Sequence, residues 1–579
     1  MSGLRVRWIA LAAMLASSSG ACYSTGEGPS PPPNALYFPV GILPSPGGKA
    51  LYIVNSDFDL QYNGGTVEVY NLEDIRDVAL RPLWSPDAAD DASNCFGLGP
   101  NPNVILYPGA CGPLDLNRPP PREVPYSGPL FRRSARIGAF ATDLVMACHP
   151  SEDLKDGGTA DCMRGGTANG RGARLFVPVR GDRSLTFFDV DDDREGGEQN
   201  YKLDCGQGVS HGRCSDAFRS GVDPAENTRG ITLPAEPFGV AVSDRGDAIV
   251  VTHQSSTSGS VSLFSGNDPM TSRNSVLGSK PRLEFVLSGL PGSATGIAAF
   301  PTPGLDAYLD FGVANYQPGF AVVYRLAAQV DVFRFFDDQF AAPQRPFLQR
   351  AAAFSLPPTP SGFDSRDITI DNSRTSDRAV CERECRRDAL DRCIADCAQR
   401  PDDGRCETQC RDQAVRNCLT DCTRIPLGVF VSNRLPTSPP GLAAALLIGE
   451  VRLPNGSGSS EALHFYDSVP ISGGPSRVVL GRIHDRRDPP GVFRPRVFVV
   501  CFDARAILVY DPAERRVDGL IRTGRGPHAL VMDPIAPLAY LGHFTDSYIG
   551  LVDLDQSHGT TFGTIVATIG TPLPPGATK

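Results

Sequence analysis

The chain has 579 residues, a net charge of −10 and a pI near 5.4, with 60 Gly, 52 Pro and 16 Cys. Its acidity argues against nucleic acid as a partner, because a phosphate backbone calls for a basic face. Its length exceeds what one simple core serves, which leaves several domains or a repeat architecture.

The N-terminus reads MSGLRVRWIALAAMLASSSGAC. Arg5 and Arg7 precede the apolar run Trp8–Ala16, and small residues follow up to Cys22. That is the charged, apolar, small-residue order of a secretory signal, here residues 1–21. The run is shorter than the roughly 20 apolar residues a bilayer span needs. Ser19-Gly20-Ala21-Cys22 resembles the lipobox of bacterial lipoproteins, which implies acylation of Cys22 after cleavage. Ser19 stands where that motif usually has Leu, and Ser-x-Ala also suits ordinary signal peptidase, so plain secretion is the alternative. Tyr23-Ser24 lacks the Asp that resembles an inner-membrane retention signal. The expected address is therefore the outer membrane, with a periplasmic or secreted protein as the alternative. Cys22 opens a Pro-rich, semi-rigid tether over residues 22–34, and the membrane is expected to be met through this anchor only.

From residue 35 onward one pattern recurs seven times: an apolar, β-branched strand, a polar turn and a second strand. In chain order the copies are ALYIVNSDFDLQYNGGTVEVYN, RLFVPVRGDRSLTFFDV, AIVVTHQSSTSGSVSLFS, DFGVANYQPGFAVVYRL, LGVFVSNRLPTSPPGLAAALLIGEV, RVFVVCFDARAILVYDP and LAYLGHFTDSYIGLVDL. Continuous apolar runs of this length read as strands buried on both faces. A further strand precedes most copies, as in FPVGILPSPGGKA and GPHALVMDPIAPLA, and a weaker one follows, as in GTIVATIG. Short four-stranded units cannot bury their faces alone, and radial stacking solves that problem. The expected fold is an all-β, seven-bladed β-propeller over residues 35–579. The unit resembles the YVTN family of β-propellers, most closely over Gly524–Asp555 and next in GKALYIVNSD. That resemblance implies an extracytoplasmic propeller and no single activity.

Eight cysteines fall between Cys381 and Cys422, at C-x-x-x-C-x7-C-x-x-x-C spacing used twice around the linker AQRPDDGR. The inner segments favour helix, and Pro401 and Gly404 break it. A disulfide-rich α-helical hairpin over 378–425 is expected, inserted in the A–B turn of blade five. The nested pairing joins Cys381 to Cys422, Cys385 to Cys418, Cys393 to Cys410 and Cys397 to Cys406. Half-local bridges and a thiolate metal site are the competing readings. Cys148 with Cys162, Cys95 with Cys111, and Cys205 with Cys214 read as local loop staples, and Cys501 as a buried thiol. The A–B turn of blade two is interrupted as well, so both insertions should project from one rim.

Aligned strand-B ends give the column Asn55, Val179, His253, Asn315, Asn433, Cys501 and His543. Its polar members either bond the following turn or ring the mouth of a central funnel. Arg366, Asp367, Arg477 and His528 fall at starts of strand A, which line the channel. The acidic stretch DVDDDREGGEQN has Arg194 and Asn200 where an EF-hand needs Gly and Glu, so it reads as a solvated turn. The RGD at Arg180–Asp182 reads as a B–C turn. No nucleophile elbow, zinc-protease motif or phosphate loop occurs, and no cofactor or metal is expected. The expected function is binding or scaffolding of a protein or an envelope polymer, through the face that bears the helical insertion. The alternative is a propeller enzyme, lactonase-like or quinoprotein-like, with its site in the funnel.

Overall fold

The structure is a computed structural model that describes the strands and most turns between residues 28 and 572. Segments 1–27, 85–99, 102–108, 116–128, 149–167, 266–279, 301–318, 337–345, 372–390, 399–404, 414–426, 435–443, 453–461 and 573–579, with a few shorter gaps, lie outside the described residues.

Seven antiparallel sheets follow one another along the chain, each with its strands A to D in sequence order. The inner strands A are Pro39–Pro44, Val145–Cys148, Pro237–Val242, Ala294–Ala299, Ser365–Asp371, Pro475–Ile483 and Pro527–Met532. Neighbouring inner strands pack together around the ring, and that of blade seven meets that of blade one. The architecture is a seven-bladed β-propeller. Strands B are buried on both faces, as Ala50–Asn55 and Leu538–His543 are throughout, which explains their unbroken apolar runs.

One hydrogen bond repeats in every blade. The residue after the strand-B partner in the first inner-strand pair donates its N–H to the carbonyl of the residue just before that pair. The bonds run Ser56 to Phe38, Arg180 to Phe140, Gln254 to Glu236, Arg325 to Ser293, Arg434 to Asp364, Phe502 to Gly474 and Phe544 to Gly526, at 2.7–3.1 Å. Six of the seven acceptors have positive φ, at Phe38, Phe140, Glu236, Ser293, Gly474 and Gly526. Only glycine adopts that conformation without strain, and blades six and seven use it. At Phe38 and Phe140 the same backbone carries an aromatic ring, a rare residue type for this region.

Blade four departs from the sequence reading. Its strand B is Gly319–Tyr324 and its strand C is Gln329–Phe336, one strand later than expected. Asn315 therefore belongs to the A–B connection, outside the described residues, and Tyr324 takes its place in the strand-B column opposite Ala294. The segment DFGVAN had the polarity pattern of the other strand-B ends, and pattern alone cannot choose between two candidate strands so close together.

The ring is fastened where blade seven meets blade one. Helix α1, Leu72–Trp84, starts the C–D connection of blade one, and its Arg76 bonds buried Asp533 of blade seven at 3.0 Å. Farther along the same connection, Cys111 and Leu114 donate to Val566 and Thr568 of blade seven's outer strand, at 3.2 and 2.7 Å. Blade one thus lends blade seven an extra edge segment. The loop closed by the Cys205–Cys214 bridge likewise pairs with the outer strand of blade one, through Arg136 N to Gly212 O at 2.9 Å.

Within the blade-five insertion Cys393 is bonded to Cys410 and Cys397 to Cys406, across the linker rather than within either half. Cys381, Cys385, Cys418 and Cys422 lie outside the described residues. Cys111 and Cys148 are also disulfide-bonded, while Cys95 and Cys162 lie outside the described residues. Every described residue next to Cys393 and Cys397 in sequence is exposed, Ile394 among them. Deleting 381–422 and bridging the flanks with a short Gly turn is accordingly expected to leave the propeller's thermal midpoint nearly unchanged. Loss of the β-sheet circular dichroism signal in that variant would put the segment in the core.

Candidate functional site

Two residues beyond each first inner-strand pair, the seven blades present Gly41, Asp143, Gly239, Gly296, Asp367, Arg477 and Ala529. The register breaks at or just before these positions in six blades, so each sits at a bulge near the start of its inner strand. Glycine is needed where inner strands approach. A Cβ on Gly239 would lie 2.5 Å from Thr295 O, and one on Gly296 would lie 2.5 Å from Asp367 Cα.

The charged members of this ring form a brace. Arg477 of blade six bonds Asp143 of blade two at 2.9 Å. Those blades stand three steps apart around seven, the greatest separation the ring allows, so the bond spans the axis. Asp367 accepts from Val478 N at 3.0 Å, and Asp143 accepts from Val240 N at 3.3 Å. Burial opposes the charge on Arg477, but Asp143 and Asp367 outweigh it and hold its pKa above the ordinary value. Burial raises Asp367 to about 6 despite Arg477. His528 is lowered to about 3 by burial and then by Arg477. The sequence-predicted Asp367, Arg477 and His528 thus share the channel floor. Asp143 was missed because it precedes strand A of blade two, Val145–Cys148, and so lay outside the strand starts that sequence reasoning searched.

Arg366 is placed elsewhere. It bonds Asp364 at 2.5 Å, and Asp364 also accepts from Arg325 at 3.0 Å. Burial, then Arg325 and Arg434, lower the pKa of Arg366 against the pull of Asp364, and its buried Nε has no partner among the described residues.

The strand-B column is internal. Asn55 accepts from Tyr37 N at 3.2 Å and donates to Thr66 Oγ1 at 2.9 Å. His253 lies between Ala235 O and Ser262 Oγ, at 3.1 and 2.7 Å. Asn433 accepts from Asp364 N at 3.1 Å, and His543 accepts from Gly524 N at 3.2 Å while stacked on Tyr548. All four are fully buried and tie strand B to the chain entering strand A of the same blade. Val179 and Cys501 are buried beside them, and burial raises the Cys501 thiol to about 12. The column fastens each blade and leaves the funnel to its neighbours.

The next residue along forms the mouth on the B–C face: Ser56, Arg180, Gln254, Arg325, Arg434, Phe502 and Phe544. Blades six, seven, one and two supply an aromatic arc. Phe544 packs on Phe38, Phe58, Phe502 and His528 at centroid distances of 5.0, 5.3, 6.4 and 6.3 Å, and Phe58 on Phe140 at 5.9 Å. Blades two, four and five supply guanidiniums: Arg180 paired with Glu236, Arg325 and Arg366 sharing Asp364, and Arg434 paired with Asp503 at 2.7 Å. The arcs meet where Asp503 follows Phe502 and where Arg180 bonds the Phe140 carbonyl. Among the described residues of this arc three carboxylates face four guanidiniums, which leaves capacity for an anion.

The acidic stretch after Asp189 is a strut. Asp193 accepts from Ser45 Oγ and Gly47 N, each at 2.6 Å, and so holds the A–B turn of blade one, while Asp192 pairs with buried Arg194 at 2.7 Å. Among the described residues no cluster of His, Cys, Asp and Glu has metal-binding geometry. Arg180–Asp182 is the B–C turn of blade two.

No protein-family model and no curated protein matches the chain. Among solved structures it is similar to hydrazine synthase of Kuenenia stuttgartiensis, at 9% identity over 92% of this chain and 99% of that one, TM-score 0.41. It is also similar to the periplasmic gluconolactonase PpgL of Pseudomonas aeruginosa, at 11% identity over 84% and 86%, TM-score 0.36. Sqt1 of Saccharomyces cerevisiae matches at 8% identity over 96% and 93%, TM-score 0.40.

Proposed function

We propose that the chain is a YVTN-like propeller anchored by acylated Cys22 at the bacterial outer membrane, and that it binds rather than transforms its ligand. The ligand seats in the mouth on the B–C face. The observation that supports this reading is the division of the mouth into an aromatic and a guanidinium arc above a floor braced by Asp143 and Arg477. Guanidiniums hold carboxylates and phosphates through paired hydrogen bonds, and aromatic rings offer flat apolar faces. An envelope polymer with anionic groups matches both requirements. This moves the binding site away from the insertion-bearing rim that the cysteine pattern first suggested. The disulfide-rich hairpin is then a rigid spacer on the opposite face.

Binding of acidic envelope polysaccharide to the purified mature chain, read by calorimetry, tests the reading. The double substitution Arg325→Gln, Arg366→Gln is expected to weaken it about tenfold or more, as loss of charge-assisted hydrogen bonds entails. Deletion of 381–422 should leave it intact, and loss on that deletion alone would return the site to the opposite face. Replacing Cys22 with Ser should release the protein from washed membranes, and retention would refute the anchor.

The enzyme reading has one observation in its favour: Asp367 and His528, both with displaced pKa, each face Arg477 in the floor. Lactone hydrolysis or dye-linked dehydrogenation abolished by Asp367→Asn would support it.

A further inference from the structure

The B–C turn of blade one exposes Phe58 by 52% and Leu60 by 59%, and the adjoining loop of the Cys205–Cys214 bridge exposes Val209 by 70%. These large apolar side chains surround the place where the N-terminal tether joins the propeller. Asn63 N donates to Pro29 O at 3.0 Å, Arg136 donates to Ser30 Oγ at 2.7 Å, and His211 Nε2 lies 2.7 Å from Pro31 O. Gly28 lies against Tyr62 and Asn63 of the same turn.

Gly28 lies six positions beyond Cys22. Fully extended they span about 20 Å, at roughly 3.3–3.6 Å each. The opposite face lies one strand length farther, again about 20 Å for a six-residue strand. A leash of that reach brings the B–C face of blade one to the anchoring bilayer first.

We propose that this corner of the propeller docks on the lipid surface, with Phe58, Leu60 and Val209 entering the headgroup layer and the cysteine-rich insertion turned away. The proposal rests on the reading of Cys22 as acylated, which supplies the leash. The mouth then opens toward the layer next to the membrane. Asp57 and Asp59 flank the apolar tip, so anionic lipid does not drive the contact. Apolar insertion does, and docking is expected on neutral vesicles and at high salt alike. Three side chains would hold a free protein poorly, but a short leash keeps their local concentration at the surface high.

The test separates docking from acylation by replacing the lipid with an N-terminal histidine tag on the otherwise complete mature chain. The tag is bound to phosphatidylcholine vesicles that contain nickel-chelating lipid and brominated acyl chains. Trp84 is the sole Trp after residue 8, so Trp84→Phe gives a silent background. In it, Phe58→Trp and, independently, Val209→Trp should be quenched several-fold more than Ile394→Trp in the blade-five insertion. Leu60→Asp should reduce the quenching of Trp at position 58. Equal quenching at all three sites, stronger quenching at 394, or indifference to Leu60→Asp would overturn the docking proposal. Membrane retention of Cys22→Ser would instead refute the acyl anchor, and the tagged protein still decides the orientation.

Discussion

Replacing Arg477 with Met is expected to destabilise the propeller severely, because it leaves Asp143 and Asp367 facing one another without a cation. Breaking one side of a buried ion pair costs about 3–5 kcal/mol. The side chains of Arg477 and Asp143 keep 19% and 17% of their exposure, which favours the lower end of that range. The denaturation midpoint in urea reads the effect. Asp143→Asn added to Arg477→Met should recover part of the loss, since one uncompensated charge is then gone. A single Arg477→Met variant as stable as the parent would show that the bond across the axis carries no weight in holding blades two and six.

Replacing Glu68 with Gln is expected to flatten the pH dependence of stability between about pH 4.5 and 8. Glu68 is fully buried in blade one, where Tyr70 and Thr66 donate to its carboxyl group. Burial raises its pKa from 4.5 to about 8, and the hydrogen bonds from Tyr70, Thr66 and Asn55 offset only part of that. The fold therefore favours the neutral acid. Its contribution is complete below the unfolded value and declines as pH rises toward the folded one, by up to about 1.4 kcal/mol per pH unit. The amide in the Glu68→Gln variant stays neutral throughout, so the difference between the two proteins isolates this group from the buried histidines. Those shift the other way: His253 at about 4 and His543 at about 3 favour the fold as pH rises. Thermal midpoints at pH 5 and pH 8 decide the matter. Parallel curves for the two proteins would mean that Glu68 ionises normally.

Most of the fold was legible because each strand B is buried on both faces and must be apolar at every position. Val54, Val251, Val431 and Leu541 follow from that requirement alone, and such runs gave the right number of sheets although the one in blade four was placed a strand too early. Cysteine spacing suggested the bridges Cys393–Cys410, Cys397–Cys406 and Cys205–Cys214, since short loops and helical steps limit which thiols can meet. Sequence reasoning also placed Asp367, Arg477 and His528 at the channel, because strand A is always innermost.

Position within a strand did not say what a side chain would touch. Asn55, His253, Asn433 and His543 look like a ring of free donors in one dimension. Each is consumed by the chain that enters strand A of its own blade, a contact that exists only once the sheet twists. The bond between Asp143 and Arg477 joins residues 334 positions apart, and no local pattern encodes a partner on the far side of a closed ring. The same holds for the mouth. Phe38, Phe140, Phe502 and Phe544 belong to turns of four blades and read as isolated loop aromatics until closure brings them together. Local burial and loop length were thus determined by the chain's own pattern, whereas the axis and its mouth were decided by circular closure, which sets distances that sequence separation does not.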